Sequence, residues 1–75
     1  MPALVRQVKC VLRHIDDQRL EFELIFDDGC IKPIHLDSYA IRAFRGAGVR
    51  NIAEYCAQNY YDNLGENVVL QLIFV

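Results

Sequence analysis

Between Arg19 and Phe26 eight residues alternate without a break: Leu20, Phe22, Leu24 and Phe26 interleave with Arg19, Glu21, Glu23 and Ile25. Successive side chains of a strand point to opposite faces, so a period of two predicts a half-buried β-strand. The flanking residues extend the pattern. Asp27-Asp28-Gly29 follows directly, and an Asp-Gly step between apolar runs signals a hairpin, because glycine accepts positive φ at little cost. Before the strand, Asp16-Asp17-Gln18 is a polar break. Leu4 to Ile15 reads as another strand, with Val8, Cys10 and Leu12 on one face and Gln7, Lys9, Val11 and Arg13 on the other.

Cys30 to Leu36 is expected to form the third strand. Pro33 has no N–H to donate to a ladder, which places this strand at a sheet edge. Asp37 and Ser38 are both suitable N-caps for a short helix over 38–45, whose Ala40, Ile41, Ala43 and Phe44 leave Arg42 and Arg45 on the wet side. Gly46-Ala47-Gly48 breaks that helix. Asn51 with Glu54 resembles a capping box, and a second helix over 52–63 carries the stripe Ile52, Tyr55, Cys56, Asn59 and Tyr60. After a turn at Leu64 to Asn67, Val68 to Val75 is a fourth strand, apolar nearly throughout.

The order βββααβ predicts an α+β fold: a four-stranded, mostly antiparallel sheet with two helices packed on one face. The fourth strand is expected beside the first, away from the Pro33 edge. Leu70, Leu72 and Phe74 then face the helices. Val69, Ile73 and Val75 join Val5, Val11 and Ile25 on a face that nothing left in the chain can cover.

Seventy-five residues make one domain over 1–75, near the lower limit for a self-supporting core. With 53% apolar residues it can build one, yet it leaves hydrophobic surface over. Net charge is −2, which argues against non-specific nucleic-acid binding. The charge is segregated: residues 1–15 carry +3, 16–28 carry −5, 29–50 carry +3 and 51–75 carry −3. Such patches suit steering toward one complementary partner. Three cysteines without C-x-x-C spacing read as reduced thiols, and neither a signal peptide nor a membrane-length apolar run is visible. A soluble, cytoplasmic protein without membrane association is the expectation.

Assembled chemistry is absent from the sequence. His14, His35 and the cysteines repeat no zinc spacing, so no metal is expected, and no cofactor. Ser38 is a cap, threonine is missing, and Cys10 and Cys56 fall on core faces; Cys30, beside the hairpin, is the most exposed thiol expected. The paired aspartates are turn residues. Gly46-Ala47-Gly48-Val49-Arg50-Asn51 lacks the preceding strand and third glycine of a dinucleotide fingerprint. No enzyme is predicted.

The expectation is therefore a non-enzymatic protein-binding module, a small regulator or inhibitor (antitoxin-like, anti-defence-like or adaptor) that masks a partner's surface, or a homodimer through the sheet. Its partner-binding candidates are Arg42, Arg45, Arg50, Tyr61, Val69, Ile73 and Val75. A nucleic-acid-contacting dimer using the three arginines is the alternative, and an enzyme using the Cys30 thiol a remoter one.

Overall fold

The computed structural model describes residues 2–75. Six elements follow in chain order: β1 (Leu4–Ile15), β2 (Arg19–Phe26), β3 (Ile31–Asp37), α1 (Ser38–Ala43), α2 (Val49–Asn63) and β4 (Val68–Phe74). They form a four-stranded sheet of order β3-β2-β1-β4. The fold is α+β with both helices on one face. The pairings β1–β2 and β2–β3 are antiparallel, whereas β4 runs parallel to β1, so the sheet is mixed. The direction of β4 follows from connectivity: the two helices carry the chain back across the sheet before β4 enters beside β1, and parallel neighbours need such a crossover.

The alternation of β2 does what its period dictates. Leu20, Phe22, Leu24 and Phe26 are buried, and they meet Val8 and Cys10 from β1. Two turns joining the strands are pinned by aspartates. Asp16 Oδ1 accepts from the backbone N–H of Gln18 (2.8 Å) and Arg19 (2.9 Å), and Asp28 Oδ1 accepts from that of Cys30 (2.8 Å). Short acidic side chains commonly satisfy the backbone just ahead of them in this way. Between Leu12 and His14 a register shift opens the end of β1 and sets His14 opposite Glu21. Pro33 lies on the outermost strand, as its missing N–H requires.

The helices differ in detail from their sequence reading. Asp37 is the N-cap of α1, its Oδ1 accepting from Ala40 N–H at 2.8 Å. That helix ends at Ala43, so Arg45 does not sit on its polar side. Arg45 instead takes a left-handed conformation, φ 55°, ahead of Gly46 at φ 81°. α2 starts at Val49 with Gly48 as N-cap and no side-chain cap, so Asn51 and Glu54 form no capping box. The buried stripe is also shifted: Ile52, Ala53, Ala57 and Tyr61 are buried, whereas Tyr55 and Asn59 are exposed. Ala53 and Ala57, both fully buried, are the reason. Their small side chains let α2 approach the sheet closely, which a reading weighted toward large apolar residues passes over.

A left-handed backbone costs a residue with a Cβ about 1 kcal/mol, and glycine avoids that cost. Arg45→Gly is therefore expected to raise stability by about 0.5–1 kcal/mol, read as a higher urea midpoint with an unchanged slope.

Candidate functional site: the open face of the sheet

No described residue covers the face of the sheet turned away from the helices. Reading across β4, β1, β2 and β3, the register sets Val69 beside Val5, then Ile73, Lys9, Ile25 and Ile31 in one row. In the next row Val11, Glu23 and Pro33 are neighbours, with Val75 bound at the β4 end through its N–H to the Cys10 carbonyl at 3.0 Å. Val5 and Ile31 are each 57% exposed, Val69 53% and Ile73 40%. Single apolar residues on a surface need no explanation, whereas the adjacent pairs Val5–Val69 and Ile25–Ile31 share one face of the sheet.

Charges bound this apolar field on the β1–β2–β3 side. Arg13 pairs with Glu23 at 2.9 Å, His35 with Glu21 at 3.1 Å and His14 with Asp16 at 2.7 Å. The His14 hydrogen bond, with the N–H groups of Arg19 and Gln18, draws Asp16 down to about 2, so it is ionised at all ordinary pH. Gln7 and Gln71 face each other, Nε2 donating to Oε1 at 3.5 Å. At the hairpin end Gln7, Lys9, Ile25, Phe26, Asp27 and Gly29 line a shallow groove of about 260 Å³. The apolar residues therefore lie in pairs, Val5 with Val69 and Ile25 with Ile31, around a polar middle of Gln7, Gln71 and Lys9, and protein interfaces as a whole carry a similar mixture of polar and apolar surface.

The other sequence candidates fall elsewhere. Arg42, Arg45 and Arg50 are all exposed but leave three different local settings: the last turn of α1, the left-handed turn and the first turn of α2. The guanidinium of Arg50 lies over the Phe74 ring, 5.5 Å from its centroid. Tyr61 is a correction. It is only 2% exposed and cannot meet a partner from the surface. The shifted stripe of α2 turns it into the core, where it packs edge-to-face on Phe26 at 5.6 Å. The exposed tyrosines are Tyr39 and Tyr55.

Tyr60 and Tyr61 serve a clamp that the sequence did not disclose. Tyr60 stacks on Phe26 with ring centroids 3.8 Å apart and donates to Asp28 Oδ2 at 2.9 Å, while Tyr61 donates to Asp27 Oδ1 at 3.2 Å. Arg6 reaches Asp27 at 3.5 Å and Glu66 at 3.1 Å. The end of α2 is thereby tied to the β2–β3 hairpin and to β1. The Cys30 thiol and the Asp28 carboxylate push the Tyr60 hydroxyl well above its usual range. Burial, then the Asp27 carboxylate, pushes Tyr61 up to about 12. Both phenols stay protonated donors, which suits a structural tie and not acid–base work. The bonds span 32 and 34 residues, and no local pattern announces such a pairing.

The cysteines are unpaired. Cys10 is buried, Cys56 is half-buried, and burial raises both thiols, away from the thiolate that nucleophilic chemistry needs. Cys30, expected to be the exposed one, is half-buried beside Tyr60. Among the described residues no three His, Cys, Asp or Glu side chains converge on a metal position, and no helix is long and apolar enough to cross a membrane. Comparison of the chain with known protein families, curated proteins and solved structures gives no match.

Proposed function

We propose that this protein is a non-enzymatic binding module, a small cytoplasmic regulator or inhibitor that docks the open face of its sheet on a partner protein and masks it. The observation that carries this reading is the exposure of Val5, Val69, Ile73, Ile25 and Ile31, set around Lys9 and the Gln7–Gln71 pair, on one face that no described residue covers. Burying such residues contributes about 25 cal/mol per Å² of apolar surface removed from water. The charged rim of Arg13, Glu21, Glu23 and His35 would set orientation and discriminate between partners.

The test is affinity capture of the tagged protein from its native host after nuclease treatment, with wild type and Ile31→Asp side by side. Ile31 is more than half exposed, so the change leaves the fold intact. A stoichiometric protein retained by wild type and lost with Ile31→Asp is the expected result. Retention of nucleic acid that washes off steeply with salt would favour the arginine-based alternative instead. A partner indifferent to Ile31→Asp would place the docking surface elsewhere.

A further inference from the structure

The two margins of the sheet are built differently. β3, on one side, carries Lys32, Pro33 and Asp37, the charges and proline that keep an edge from recruiting another strand. β4, on the other side, reads Val-Val-Leu-Gln-Leu-Ile-Phe and has no charge, no proline and no register shift against β1. Among the described residues it pairs with β1 on one side only, so its outer row of N–H and C=O groups has no strand partner.

The direction of those groups follows from the bonds β4 makes. Leu4 N–H donates to the Asn67 carbonyl at 3.1 Å and Val75 N–H to the Cys10 carbonyl at 3.0 Å. Odd-numbered residues therefore turn their backbone toward β1, and alternation along a strand turns Val68, Leu70, Leu72 and Phe74 outward. The side-chain sequence is symmetric about Gln71 in the same phase. Val69 and Ile73 flank it on the open face; Leu70 with Leu72 and Val68 with Phe74 flank it on the helix side.

We infer that β4 adds edge to edge, antiparallel, to β4 of a second copy, with Gln71 on the two-fold axis. This pairing deepens the docking reading, on which it rests for the use of the open face, and makes a second copy the first partner. In this register Leu70 opposes the partner's Leu72 and Val68 the partner's Phe74 as hydrogen-bonded pairs, the outward-facing residues meeting each other. Val69 opposes the partner's Ile73 as a closely spaced pair without hydrogen bonds, the geometry in which cross-strand side chains touch most closely. A slip by two residues, the smallest that keeps faces and hydrogen bonds in phase, would set Gln71 against the partner's Ile73 or the partner's Val69. Arg50, over Phe74 and without an ion pair among the described residues, comes to the end of the strand that in the partner follows Glu66, a carboxylate it would share with the pairing to Arg6. The groove beside β4, about 530 Å³ and lined by Asn51, Glu54, Tyr55, Gln58 and Leu70, would lie along the junction. The product is one continuous eight-stranded sheet whose two open faces merge into a single surface.

Sedimentation equilibrium of three proteins tests the register. Wild type should sediment at twice the chain mass of 8.7 kDa. V69K/I73K sets like charges against each other at both symmetric pairs and should sediment at the chain mass, with the wild-type circular dichroism spectrum. V69K/I73E, which sets opposite charges against each other only in this register, should return to the dimer mass. In wild type, amide exchange at Leu70 and Leu72 should slow with rising protein concentration, while Gln71 and Ile73, already bonded to β1, stay unaffected. A monomeric wild type, a V69K/I73K dimer, no recovery in V69K/I73E, or concentration-independent exchange at Leu72 would each overturn the pairing. Val69 and Ile73 also belong to the open face, so the docking reading is reported separately by Ile31→Asp, at the opposite edge of the sheet.

Discussion

Phe22→Ala will leave the chain at the margin of folding. Phe22 is 1% exposed at the middle of β2, a central strand of the sheet, and among the largest fully buried side chains. Truncating a buried aromatic ring costs about 3–5 kcal/mol, from lost burial and from the cavity left behind. Native domains hold about 0.05–0.15 kcal/mol per residue, so 75 residues give a total of about 4–11 kcal/mol. The expected outcome is a urea midpoint lowered by about a quarter or more, or no cooperative transition at all. A loss below about 1 kcal/mol would mean that the core is not centred on β2.

Tyr61 carries the second large effect, and two substitutions separate its parts. Tyr61→Ala removes a buried ring and the tie to Asp27, and is expected to cost about 3–5 kcal/mol. Tyr61→Phe keeps the ring and removes only the hydroxyl, at about 1–1.5 kcal/mol. The hydroxyl also gives stability a pH dependence of known sign. Its folded value, about 12, lies above the ordinary tyrosine value near 10. Its stabilisation is therefore complete below about pH 10 and is lost as pH rises through about 12, where the unfolded chain releases the proton first. Urea midpoints measured from about pH 8 to about pH 12 should fall less steeply for Tyr61→Phe than for wild type. Parallel curves would contradict the clamp between α2 and the hairpin.

Much of the fold was legible because period and turn chemistry are local. The alternation of β2 placed four core residues, the Asp-Gly step placed the hairpin, and Pro33 placed an edge. The position of β4 beside β1 followed from the same logic, as did the face shared by Val5, Val69 and Ile73. What was not legible depended on packing at a distance. Ala53 and Ala57 decide the rotation of α2 because they are small, and no periodicity of large residues reveals that. Tyr61 went inward for the same reason. The sequence marks the hairpin aspartates as turn residues, and the turn bond of Asp28 is there, but their second role waits for tyrosines more than thirty residues away. Ile31 and Pro33, which complete the open face, were legible in principle: the alternation that placed Ile25 continues through the hairpin into β3.

The charge asymmetry of the sequence also acquires a location. The acidic run over 16–28 is largely spent within the fold, since Asp16, Glu21, Glu23, Asp27 and Asp28 all have partners in the same chain. Arg42, Arg45 and Arg50 make no ion pair among the described residues, and neither do Lys9, Arg19 and Lys32; the first three are set apart by their place in the fold. They flank the helix side of the molecule, and a partner seated on the open face need not touch them.

Hydroxyl-radical footprinting of the captured complex, compared with the free protein, tests the docking claim most directly. Val5, Ile31, Val69 and Ile73 should lose reactivity on binding while Tyr39 and Tyr55, exposed on the helices, keep theirs. Protection of Tyr39, Tyr55 and the arginine-bearing turn, with the four sheet residues labelled as in the free protein, would contradict it.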